Sequence, residues 1–129
     1  IGKFTIPRHI CKRNGPLSIE EWAIMKKHPE QGYKILQKFN ALSDAISIIV
    51  LQHHERHDGR GYPLGLKAEK IHTYSKICAI ADVFDALTSH RPYRSPKSSF
   101  HALAVMQNEM KNEFDPEFFS LFVKLFSKV

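Results

Sequence analysis

Residues Thr73–Thr88 read TYSKICAIADVFDALT, and this stretch decides the fold. Ile77, Cys78, Ala79, Ile80, Ala81, Val83, Phe84 and Leu87 surround a helix nearly completely, which predicts an element at the centre of a helical bundle. Working outward, Ser18-Ile-Glu-Glu21 is a capping box, in which hydroxyl and carboxylate each satisfy a free N–H at a helix start. Trp22, Met25, Gly32, Ile35, Leu36 and Phe39 then follow a period near 3.6, predicting one continuous apolar stripe. A second helix is expected from Leu42 to His54, with Ile46, Ile49, Val50 and His53 on one face. Residues His57–Ile71, rich in Gly and Pro, form a long loop of the kind that is usually functional. His90–Lys97, with two prolines, reads as another loop. Phe100–Lys111 reads as a fourth helix on Leu103, Met106 and Met110. Asp115-Pro116 starts the last one, Asp as N-cap and Pro in the first turn. No strand pattern competes and no repeat occurs, so the fold class is an all-α, single-domain helix bundle.

The 129 residues are 43% hydrophobic and 25% charged, which sets the chain apart from disordered sequences. No run approaches the length of a membrane span, and the N-terminus has no signal-peptide pattern. Cys11 and Cys78 stand far apart without a C-x-x-C pair, which argues for a reduced cytoplasmic setting and against a zinc–thiolate site. The net charge of +6 favours anionic partners. Lys and Arg are scattered without a stripe or aromatic interleaving, so nucleic acid is not an expected partner.

Three sites break the apolar pattern. His28 sits on the stripe between Met25 and Gly32; His53 and His54 end the second helix; Asp82 lies inside the most apolar helix, with Asp85 one turn on. Each has an ordinary explanation: a hydrogen-bonded core histidine, a His pair at a helix C-terminus, a carboxylate paired with arginine. Together they put imidazoles and a carboxylate on helices expected to converge. A buried carboxylate must be paired, protonated or metal-bound. Imidazole and carboxylate ligands without thiolate suit iron or manganese better than zinc. Arg91 and Arg94, just beyond the Asp82 helix, have the chemistry to clamp a phosphate.

The stretch His53–Pro63, HHERHDGRGYP, resembles the signature of the HD-GYP class of metal-dependent phosphodiesterases, and Ile80–Arg94, IADVFDALTSHRPYR, is similar to its other hallmark. Leu17–Leu36 is similar to the family segment carrying a single metal-binding histidine. The resemblance implies a helix bundle of the HD superfamily type that hydrolyses cyclic di-GMP to pGpG or GMP, with two or three iron or manganese ions in the intact domain. It implies His28, His53, His54 and Asp82 as metal ligands and Lys3 as the catalytic lysine approaching the substrate phosphate. Arg91 and Arg94 would contact the dinucleotide. Gly61, Tyr62 and Pro63 would border the substrate cleft and help dock GGDEF-domain partners, while Asp58 and Asp85 would be supporting or structural.

In that family a His-Asp pair immediately precedes the position of Ile1, and an earlier helix gives further ligands. The expectation is therefore the C-terminal portion of an HD-GYP domain, truncated at its N-terminus, holding metal weakly and hydrolysing little by itself. A sensory or regulatory domain would precede it in the parent protein. The alternative is a non-catalytic module that senses cyclic di-GMP or docks a GGDEF protein.

Overall fold

The computed structural model describes residues 1–39, 43–90 and 95–126. Seven α-helices are described: α1 (Arg8–Cys11), α2 (Ile19–Met25), α3 (His28–Phe39), α4 (Asp44–Gln52), α5 (Thr73–Thr88), α6 (Ser99–Glu109) and α7 (Pro116–Phe126). Short 3₁₀ turns lie at Gly2–Thr5 and Ala68–Lys70. Among the described residues there is no strand, only an isolated bridge between Asp58 and Lys67, so the all-α expectation is borne out.

The capping box forms as read: the Glu21 N–H donates to Ser18 Oγ at 3.2 Å, and the Ser18 N–H to Glu21 Oε2 at 2.8 Å. The single stripe from Trp22 to Phe39 does not form. The helix stops after Met25 and restarts at His28, because Pro29 has no N–H to give the Met25 carbonyl and its ring would crowd that turn. Leu36 and Gly32 stay buried, but Trp22 and Phe39 are exposed. At the other end, Asp115 Oδ1 accepts the Glu117 and Phe118 N–H groups at 3.1 and 3.3 Å, the expected start of α7.

The largest apolar cluster joins α5, α6 and α7 through Ile80, Val83, Leu87, Ala102, Met106 and Phe119, closed by Phe114. One side of α5 therefore does what the sequence demands. The other side does not: Ile77, Ala81, Asp82 and Asp85 are exposed, so α5 is not enclosed all round. An apolar composition on every face says that a helix can be surrounded, not that it is. The second packing region sets α3 against α4 and against the N-terminal 3₁₀ turn. Gly2 makes the latter approach possible, since a Cβ there would lie 1.7 Å from the His28 carbonyl oxygen. This contact fixes the N-terminal turn, and Lys3 with it, beside the first residue of α3.

Candidate metal centre

The ends of α3 and α4 bring three imidazoles together. His28 opens α3, while His53 and His54 follow the last turn of α4. His28 Nε2 lies 3.4 Å from His53 Nε2 and 3.2 Å from His54 Nε2. One ring nitrogen from each of the three falls within 4.8 Å of the others. His28 is buried and its two companions are half-buried.

The chain sets these rings through carbonyls that helix geometry leaves free. Met25 O, which an N–H at position 29 would ordinarily take, lies 2.8 Å from His28 Nδ1. Val50 O, left open where α4 ends, lies 2.8 Å from His53 Nδ1. A carbonyl only accepts, so each Nδ1 carries the proton and each Nε2 turns a lone pair inward. Two lone pairs facing each other at 3.4 Å repel, and a cation between them converts the repulsion into ligation. Edges of 3.2–3.4 Å match donors sharing an ion at about 2.0–2.2 Å each. A carbonyl hydrogen bond behind a ligating histidine is also the usual support of such a ring. The residues present therefore fit a divalent metal.

Electrostatics keeps the three rings neutral and available. Burial pushes His28 and His53 below the usual histidine value, only partly offset by the hydrogen bonds to Met25 and Val50. His54 is pushed down to about 2, by burial first and then by the neighbouring His53 and His28. The Lys3 cation acts in the same direction on all three.

Asp82 Oδ2 lies 3.7 Å from His54 Nδ1, with its side chain 45% exposed. The sequence argument from a buried carboxylate is thus corrected: Asp82 borders the cluster from an open face of α5 and is not desolvated. It lines the same cavity as Lys3, His28, His54 and Tyr62, a space of about 320 Å³. Asp85 faces elsewhere and accepts the Ser89 hydroxyl at 2.9 Å. Arg91 and Arg94 lie outside the described residues.

The loop after His54 is folded back on the cluster. The Tyr62 N–H donates to His54 O at 3.1 Å, and its ring stacks on the His54 imidazole with centroids 4.7 Å apart. Burial raises the Tyr62 phenol to about 12, so it stays protonated. Gly61 allows the return: a Cβ there would lie 2.4 Å from Arg56 N and Glu55 Cα and 2.5 Å from His54 O. Pro63 follows through a cis peptide. Asp58 works within the loop, its Oδ1 accepting the Arg60 N–H at 3.0 Å.

One residue escaped the sequence reading. Glu55 is 1% exposed, and its two oxygens accept the Leu64 and Leu66 N–H groups at 2.7 and 2.8 Å. The available signal was a glutamate set between a histidine pair and a loop rich in unpaired N–H groups.

A helical bundle that presents neutral, carbonyl-backed imidazoles beside a carboxylate has the make-up of a metal-dependent domain. The model of the HD domain family matches residues 1–118, and the chain belongs to that family. It is 41% identical over 126 residues to a cyclic di-GMP phosphodiesterase of Thermotoga maritima, covering 97% of this chain and 34% of that protein. It is 37% identical over 125 residues to the 3'3'-cGAMP-specific phosphodiesterase 2 of Vibrio cholerae, covering 96% and 24%. The fold is similar to that of Bd1817, a HDG"Y"P protein from Bdellovibrio bacteriovorus, with a TM-score of 0.75 at 19% identity over 98% of this chain and 40% of that one. The chain spans about a quarter to a third of the length of the curated relatives it matches. The resemblance carried by the His53–Pro63 and Ile80–Arg94 motifs is borne out at the level of family and fold.

Proposed function

We propose that, within its full-length parent protein, this domain is part of a metal-dependent phosphodiesterase acting on cyclic dinucleotides, cyclic di-GMP first among them, and opening the ring to pGpG and onward to GMP, while this portion by itself hydrolyses little. The observation that carries the reading is the convergence of His28, His53 and His54, the first two through nitrogens whose outer partners leave their lone pairs free. We assign His28, His53, His54 and Asp82 as ligands of one of two or three ions. Iron or manganese suits this imidazole and carboxylate set, which has no thiolate. Divalent ions bound there supply Lewis acidity and a nucleophilic water at neutral pH.

The chain's own residues do the rest. Lys3, held beside His28 by the Gly2 contact, neutralises phosphate charge in the cavity. Arg91 and Arg94, three and six residues beyond the end of α5, supply further cations for the substrate phosphates. Tyr62 covers His54, keeping bulk water off that ring and holding its plane. Gly61, Tyr62 and Pro63 form one wall of the cleft, and the exposed Leu64 beside them offers an apolar contact to a GGDEF-domain partner. Two free thiols, Cys11 and Cys78, accord with action in the cytoplasm. A purely sensing or docking module would need the loop but not the inward lone pairs of His28 and His53, which favour the enzyme.

Oxygen-free loading with Fe²⁺ or Mn²⁺, elemental analysis and chromatography of cyclic di-GMP products test the proposal. Bound metal and pGpG formation should both fall sharply in His53→Ala and His54→Ala. Failure of the full-length parent protein to retain either metal would refute it, since this portion by itself is expected to hold metal weakly.

A further inference from the structure

Trp22 is the only tryptophan of the chain, and the structure puts it where the fold gains little from it. Its helix, α2, has no buried residue, and Trp22 itself is 44% exposed. It is nonetheless held firmly. The capping box fixes the first turn of α2, and Glu21, next in sequence, is paired with Arg13. The indole meets the Tyr62 ring edge-on, with centroids 5.8 Å apart and planes at 79°. It lines the cavity of about 320 Å³ that His28, His54, Asp82, Lys3 and Arg13 also line.

A phosphodiester bound beside His28, His54 and Asp82 brings its nucleoside into the cavity that Trp22 lines. Trp22 and Tyr62 are the cavity's aromatic rings other than the histidines, among the described residues. The Tyr62 ring is already stacked on His54 and half-buried, whereas the indole retains open surface. We propose that Trp22 is the stacking platform for a purine base of the substrate, with Arg13 and Lys3 beside it for the phosphates. This inference rests on the phosphodiesterase reading and adds to it the residue that distinguishes a nucleotide from a bare phosphodiester. An indole accepts any base face but overlaps a fused purine most fully.

A lone tryptophan makes the test direct. At constant metal, cyclic di-GMP and GMP should each quench the Trp22 emission saturably, while ribose 5-phosphate, which has the phosphate but no base, should leave it unchanged. Calorimetry on Trp22→Ala should show cyclic di-GMP affinity weakened roughly 5- to 100-fold. Trp22→Phe should stay within about threefold of wild type. Ribose 5-phosphate binding and metal content should be unaltered in both variants, which a merely structural role for the indole would not predict. If cyclic di-GMP binds by calorimetry with no change in emission, the stacking role falls and the phosphodiesterase reading stands. If neither cyclic di-GMP nor GMP binds the metal-loaded protein, both fall. The emission titration uses only the wild-type chain, so it decides the matter even if Trp22→Ala does not fold.

Discussion

Replacing Glu55 by alanine tests how the loop after the histidine pair is held. The carboxylate is 1% exposed and accepts two backbone N–H groups, at 2.7 Å from Leu64 and 2.8 Å from Leu66. A hydrogen bond to a charged group contributes roughly 1.5–3 kcal/mol, so the pair contributes about 3–6 kcal/mol gross. Two effects reduce the loss. Leu64 is exposed, so its freed N–H can find water, and removing a buried charge relieves its desolvation. One effect increases it: the vacated side-chain volume lies in a fully buried position. The expected net loss is about 3 kcal/mol, equivalent to a melting temperature lower by roughly 10 °C for a domain of this size. Glu55→Gln keeps one acceptor and turns an NH₂ toward the other N–H, so it should lose a comparable fraction and not recover the wild-type value. Urea unfolding of the metal-free protein reads both. A change below about 1 kcal/mol for Glu55→Ala would show that the carboxylate is not the anchor of the loop.

Gly61→Ala places a Cβ against three backbone atoms within 2.5 Å, so the loop must move; a destabilisation of about 2 kcal/mol or more and weaker metal retention are expected by unfolding and elemental analysis. Gly2→Ala should lift the N-terminal turn off α3, because its Cβ would lie 1.7 Å from His28 O and a chain-terminal turn yields more readily than the core. Amide exchange should then lose protection at Phe4 and Ile6, whose N–H groups bond within that turn, and unchanged protection would contradict the docking. Acid should unfold the metal-free protein through its histidines. Burial depresses His28, His53 and His54, so below about pH 6.5 the unfolded chain takes up protons that the folded one refuses. Stability should be full above that pH and fall below it, by up to about 1.4 kcal/mol per pH unit for each histidine, His54 contributing down to about pH 2. A flat unfolding free energy between about pH 7 and 5 in chelator would contradict the buried neutral rings.

Much of this arrangement is legible in the chain. Helix α5 spans Thr73–Thr88 as its composition predicts, and the starts at Ser18 and Asp115 follow from local hydrogen bonds any reader of the sequence can draw. The meeting of His28 with His53 and His54 follows from putting each at the same end of neighbouring helices. The break between α2 and α3 was also written in the sequence, at Pro29, but a regular apolar period masked it. Two things were not readable. The exposure of Asp82 depends on which faces of α5 find partners, and an all-round apolar helix carries no mark of that. The role of Glu55 depends on N–H groups nine and eleven residues away, brought back only by the fold of the loop.

Pro29 shows how a helix interruption becomes a functional device. Had α2 run on through position 29, the Met25 carbonyl would have been consumed by the ladder, and His28 would have lacked an acceptor for Nδ1. With the break, the freed carbonyl orients the ring and selects its tautomer, and Nε2 is delivered inward. The end of α4 repeats the arrangement, Val50 O standing to His53 as Met25 O stands to His28, each three residues back. Two helix ends thereby convert orphan carbonyls, ordinarily a cost, into the outer supports of two donors 3.4 Å apart. His54 is the exception. Among the described residues no carbonyl backs its ring; Asp82 stands 3.7 Å from Nδ1 and Tyr62 covers its face. Its proton can therefore sit on Nε2, donating to His28 Nε2 at 3.2 Å. From the open face of α5, Asp82 reaches the edge of the cluster without bearing the desolvation that the interior of the bundle would impose.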